Sequence, residues 1–204
     1  AECRFLRPLF PGDEIVSESE VIGLRQLSNG KAGVVWVRST ARDAGGAAVL
    51  EWVRWVMVRK RDPAAPAPET VVPETAEAVA PGDLALPEGL DFTRYPFAAA
   101  GARHRLSDYA VGERIDHADG VTVEEAEHMM ATRLWQNTAK VHFDATLRED
   151  GRRLVYGGHV ISLARALSFD GLATAQPILA INGGTHAAPC FAGTTVKAWS
   201  EVLD

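Results

Sequence analysis

Val, Ile, Trp and Thr dominate three stretches of the chain, residues 13–23, 33–42 and 48–61, and glycine-containing turn pairs separate them. Asn29-Gly30 stands between the first two and Gly45-Gly46 between the last two. β-branched and aromatic runs bounded by such pairs predict strands joined by tight hairpins, so the first part reads as an antiparallel meander. The last run, AVLEWVRWVMVRKR, is apolar on both faces: Val49, Val53, Trp55 and Met57 lie on one, Leu50, Trp52, Val56 and Val58 on the other. Such a strand is covered on both sides and is expected mid-sheet or against a second unit.

The period changes in the second part. After Tyr109-Ala-Val-Gly112 a short strand is expected, and then a helix. Thr122 and Glu125 have capping-box spacing, and Val123, Ala126, Met130 and Leu134 recur along one helical face. A loop carries QNTAKVHFD, ending at Asp144. A turn at residues 149–151 leads to LVYGGHVISLARALSFDG. There Gly157-Gly158 introduce a helix that is apolar almost all round, interrupted only by Ser162, Arg165 and Ser168, with Gly171 as its expected stop. A helix of that kind must be enclosed. The fold class is therefore read as α+β, an antiparallel sheet wrapped around a buried central helix. Between the two parts, residues 62–106 hold seven of the eleven prolines and read as a linker, long enough for part of it to pack as an arm.

The two parts share one element. Pro8, Phe10, Gly12, Ser19, Glu20 and Val21 recur as Pro189, Phe191, Gly193, Ser200, Glu201 and Val202, always 181 positions later. This is the signature of two copies of a structural unit. The copies are cut unequally, so the chain is expected to be a window on a longer tandem protein, with other segments or another chain covering its open edges.

The composition is that of a globular protein, with 47% hydrophobic and 24% charged residues. No apolar run approaches the roughly 20 residues of a membrane span, so no membrane association is expected. Two cysteines make no disulfide framework, and a reducing cytoplasm is the expected setting. A net charge of −6 argues against nucleic-acid binding but leaves room for an anionic small ligand. No phosphate-cradling or dinucleotide glycine pattern is present, and His117, His128 and His142 lack a metal-ligand spacing, so no metal site is expected. Cys190 reads as a small buried residue, and Arg59-Lys60-Arg61 as a solvated strand end.

The helix, the loop ending in V-H-F-D, the glycine start of the apolar helix and the P-C-F-A-G run at residues 189–193 together resemble the MaoC-like branch of the hot-dog family. Within that branch the chain resembles the mesaconyl-CoA hydratase, or β-methylmalyl-CoA dehydratase, family. The stretches GVTVEEAEHMMATRLWQNTAKVHFD, RRLVYGGHVISLARALSFDGLA, FAGTTVKAWSEVL and VLEWVRWVMVRKRDPAAPAPETVVP carry the likeness. It implies a double hot-dog: residues 1–61 would be closing strands of a first unit, 62–106 the linker, and 107–204 a second unit. It also implies a hydro-lyase acting on an acyl-CoA thioester, as a homo-oligomer such as a dimer, with coenzyme A arriving on the substrate and no other cofactor.

Hydration of an enoyl thioester needs a proton-transfer group and donors for the charge that builds on the thioester oxygen. His142 sits on the loop, and the resemblance places the catalytic histidine there. Five residues earlier the broader hydratases carry an aspartate where this chain has Asn137. An amide cannot serve as a base, so Asn137 is read as orienting water or substrate. Asp144 is a fallback base, more readily read as a solvated loop carboxylate. Gly157, Gly158 and His159 would offer backbone N–H groups at a helix amino end. A substrate carboxylate would call for an arginine, and Arg133, Arg152, Arg153 and Arg165 surround the motifs. Arg165, on the apolar helix, is the one singled out. The rival readings are a hot-dog thioesterase and a non-catalytic acyl-CoA-binding protein.

Overall fold

The computed structural model of the chain describes residues 2–203. Its strands in chain order are β1 (Glu2–Phe5), β2 (Ile15–Gln26), β3 (Ala32–Asp43), β4 (Ala48–Arg59), β5 (Arg114–Thr122), β6 (Ala180–Ile181) and β7 (Thr195–Glu201). The main helices are α1 (Glu125–Leu134) and α2 (Gly157–Leu167). Two compact units emerge: one runs to Phe92 and includes Pro177–Thr185, the other comprises Thr93–Gln176 and the residues from His186 onward.

The first unit is an antiparallel sheet in the order β2-β3-β4-β1-β6. The expected meander is its centre, and its hairpins turn at Gly30 and Gly46, both at positive φ. Register places Trp36 opposite Trp55 and Val34 opposite Met57. Sequence periodicity did not anticipate β1, which pairs with both β4 and β6. The proline-rich stretch does pack in part as an arm. Leu24 of β2 and Val71 exchange backbone hydrogen bonds of 2.8 and 2.9 Å, covering an edge strand that would otherwise be unpaired. Gly23 permits this approach, because a Cβ there would meet Pro73 Cδ and Val71 O at 2.6 Å. β4 lies mid-sheet as expected, but Trp55 and Met57 remain exposed, so its two-sided cover is not found among the described residues. Lys60 anchors the strand end, donating to Gln26 Oε1 at 2.9 Å and to the Ala65 carbonyl.

In the second unit β5 pairs antiparallel with β7, and α2 packs against both strands and α1. The internal repeat is structural. Asp13 N–H donates to Phe10 O, and Thr194 N–H to Phe191 O, each at 3.0 Å. Gly12 and Gly193 adopt matching positive φ values of 101° and 85° before β2 and β7. His117 is buried, with Nε2 2.9 Å from Ser200 Oγ and Nδ1 bonded to the Asp170 carbonyl, which fixes a structural role.

Three local expectations change. The capping box of α1 uses Glu124 and Glu127, because Thr122 is still in β5, with its hydroxyl 2.8 Å from that of Thr195. The inward face of α1 is His128 and Thr132, both 0% exposed, whereas Met130 and Leu134 are 69% and 68% exposed. Thr132 can turn inward because its hydroxyl donates to the His128 carbonyl at 2.8 Å. Finally, α2 is not enclosed: no residue of it is fully buried, since a two-stranded sheet and one helix cover only part of its circumference. Its glycines form the first helical turn rather than preceding it, and its regular helix stops shortly before Gly171, which sits at φ 103°.

Candidate functional site

His142 closes a short 3-10 turn, Lys140–His142, and its ring is held from behind. Nδ1 lies 2.9 Å from the Leu154 carbonyl oxygen, which can only accept, so Nδ1 carries the proton. The Nε2 lone pair is thereby left for proton transfer. The imidazole centroid is 5.8 Å from that of Tyr156, the N-cap residue of α2. Tyr156 in turn lies over Gly158, where a Cβ would stand 2.5 Å from its Cζ. At Gly157 a Cβ would come within 2.4 Å of the His186 ring. A side chain at either position would have to displace the aromatic ring beside it. His142 and the amino end of α2 share one side-chain cluster through Tyr156.

His159 does not contribute a free amide as expected, because its N–H donates to Tyr156 O at 2.9 Å. Gly157 and Gly158 are the first two helical residues, and no acceptor takes their N–H groups among the described residues. The His159 ring lies toward α1, with Nε2 3.6 Å from Glu127 Oε1. Arg165 occupies the other end of α2, donating to Ser168 Oγ and Ala175 O, both at 3.0 Å. It caps that end and is remote from the glycines by the length of the helix. Arg152 packs on the Phe191 ring at 4.1 Å. Asp144 accepts from Thr146 Oγ1 and N–H at 2.6 and 3.0 Å, and these bonds hold its carboxyl below the usual range, as befits a turn cap rather than a base.

Asn137 lines a cleft of about 400 Å³, together with Thr132, Arg133, Gln136, Phe143 and Arg153. Its Oδ1 accepts from Ala139 N–H at 2.9 Å, leaving the amide NH₂ as its free group. Arg133 and Arg153, singled out in the sequence only as arginines surrounding the motifs, share this cleft with Asn137, and Thr132 was not anticipated there.

A second polar cluster lies beside α2. Glu125 accepts from Arg153 and lies 3.3 Å from His128 Nε2, which must carry that ring's proton; buried His128 Nδ1 then has no partner. Burial pushes the His128 pKa down from 6.5, outweighing the opposing pull of Glu125, and Arg153 lowers the Glu125 pKa from 4.5. Both shifts mean that the unfolded chain binds more protons in acid. Stability is expected to be intact above about pH 6.5 and to fall as pH drops through His128's range and then Glu125's. Thermal unfolding followed against pH checks this, and His128→Gln should flatten the first part of the decline.

Among the described residues, no group of three or more His, Cys, Asp or Glu is placed to hold a metal, and no helix is long and apolar enough to cross a membrane.

No protein-family model matches the chain. It is 69% identical over 204 residues to a protein of Cereibacter sphaeroides named mesaconyl-CoA hydratase, covering 100% of this chain and 60% of that one. A Chloroflexus aurantiacus protein named β-methylmalyl-CoA dehydratase is 56% identical over 203 residues, covering 98% and 58%. A crystal structure of a MaoC domain protein dehydratase from Chloroflexus aurantiacus superposes with a TM-score of 0.94 at 56% identity, over 99% of this chain and 58% of that one. The double hot-dog protein Rv0216 of Mycobacterium tuberculosis gives 0.66 at 28% identity, over 95% and 58%. The chain thus spans about three fifths of the length of the curated relatives it matches. With its antiparallel sheets, few helices and repeated unit, the chain has the α+β double hot-dog fold and is similar to MaoC-like dehydratases.

Proposed function

We propose that the chain carries the catalytic centre of a hydro-lyase that reversibly dehydrates a 3-hydroxyacyl-CoA, with β-methylmalyl-CoA and mesaconyl-CoA as the pair. The observation that carries this reading is the single cluster joining the His142 ring, through Tyr156, to the two uncommitted amides at the start of α2. The names of the two curated relatives supply the acyl group.

In the hydration direction, His142 Nε2 removes a proton from water as the water oxygen bonds to the β-carbon. The alkene electron pair moves toward the thioester, and the charge on its oxygen is held by the N–H groups of Gly157 and Gly158 at the positive end of the helix dipole. The α-carbon then takes the proton that His142 Nε2 removed from water, which returns the ring to its neutral form and closes the balance. Asn137 orients the water or substrate. The chemistry is complete without a metal or redox cofactor, since coenzyme A enters as part of the substrate. A cytoplasmic homo-oligomer, a dimer of the kind the resemblance implies, with no nucleic-acid or membrane partner, completes the proposal.

Incubation of the full natural polypeptide with mesaconyl-CoA, crotonyl-CoA and saturated acyl-CoAs tests it. Loss of enoyl absorbance without free thiol is expected. Thiol release from any of them would instead indicate a thioesterase, and binding without either change would indicate a non-catalytic acyl-CoA protein.

A further inference from the structure

The α1 helix ends in a six-residue closing motif with an unusual residue at its turning point. Asn137 N–H donates to Thr132 O at 3.0 Å and Gln136 N–H to Arg133 O at 3.1 Å, while Trp135 N–H takes Ala131 O at 3.0 Å. Gln136 adopts φ 52°, the one positive φ outside glycine among the described residues. Glycine fits this position without strain, and a side chain there costs stability. Backbone strain retained at the wall of a cleft points to a use for the side chain.

The cleft that Gln136 helps to line is built of donors. Arg133 has no acidic partner among the described residues, Asn137 presents its amide NH₂, and Gln136 has a second amide. Arg153 adds a guanidinium, partly neutralised by Glu125. No carboxylate side chain is among the lining residues. Three of the helix carbonyls that would repel an anion at this carboxyl end, those of Ala131, Thr132 and Arg133, already accept the N–H groups of the closing motif. Phe143, next to His142, forms another part of the wall.

We infer that this cleft is the subsite for the free carboxylate of the acyl group, with Arg133 as its principal cation and Gln136 and Asn137 as flanking amides. This rests on the enoyl-CoA reading above and names what selects its substrate class. The replacement of a hydratase-type aspartate by Asn137 then has a physical reason: an ionised aspartate in this cleft would repel the carboxylate, whereas an amide donates to it.

The test compares binding of two saturated analogues, methylsuccinyl-CoA, which has the second carboxylate, and 2-methylbutyryl-CoA, which lacks it. The wild-type polypeptide should prefer the first. Arg133→Met should weaken methylsuccinyl-CoA about 10- to 100-fold, the range of a charged hydrogen bond, and leave 2-methylbutyryl-CoA within about threefold. Gln136→Gly should raise the melting temperature yet reduce the preference, which a purely structural glutamine would not do. Asn137→Asp should reverse the preference. An unchanged preference in Arg133→Met, or equal loss for both analogues, would overturn the subsite. Absent turnover with the preference intact would overturn the lyase reading and leave the subsite standing.

Discussion

Replacing His142 by alanine is expected to lower kcat for mesaconyl-CoA hydration about a hundred- to ten-thousand-fold, the usual worth of a positioned acid–base group. Of the neighbouring candidates, Asn137, Asp144 and His159 cannot take over. Asn137 has no basic atom, Asp144 is tied to Thr146, and the His159 ring is directed toward Glu127. The fold should survive, because the variant loses one hydrogen bond to Leu154 O, worth about 1 kcal/mol, and a half-buried ring contact. Steady-state kinetics with circular dichroism as the folding control measures both. A His142→Gln variant sharpens the result, since its amide can still reach the Leu154 carbonyl but moves no proton. It should be as inactive as the alanine variant if proton transfer is the role, and largely active if the ring only supports the loop.

A single methyl group at Gly158 should be nearly as damaging. A Cβ at that position would stand 2.5 Å from Tyr156 Cζ, so the ring must swing away. That movement disturbs both the packing of Tyr156 on His142 and access to the adjacent amides. Gly158→Ala keeps its backbone N–H but displaces the ring beside it, and is therefore expected to reduce kcat about a hundredfold, the cost of a small misplacement of the reacting groups, with a smaller change in KM. Gly82→Ala, where nothing lies within 4 Å of the added carbon, is the matched control and should leave turnover unchanged. Equal activity in the two variants would show that the start of α2 does not meet the thioester.

Much of this was legible before any coordinates. The hairpin pairs around Gly30 and Gly46 announced the meander, and the 181-residue repeat announced a turn whose closing backbone hydrogen bond is the same in both copies. His142 stood out because the resemblance places a catalytic histidine there, and Gly157-Gly158 because a glycine pair opens an apolar helix. What was missed depends on contacts that one-dimensional patterns do not carry. β1 forms by pairing with β4 and with Ala180-Ile181, both far along the chain. The inward face of α1 was misassigned because apolar spacing was followed, while His128 and Thr132 turn inward by satisfying most of their polar atoms locally. Arg165 drew attention as a charge on an apolar helix, yet Ser168 and the Ala175 carbonyl supply ordinary partners. The helix closure at Gln136 was invisible because that position ordinarily carries glycine.

A crystal structure of the full natural polypeptide with methylsuccinyl-CoA, which binds but has no double bond to hydrate, probes the centre most directly. The thioester oxygen should lie about 3 Å from the Gly157 or Gly158 nitrogen, with His142 Nε2 facing the β-carbon across room for one water. An acyl group seated elsewhere, with that imidazole turned from it, would contradict the assignment.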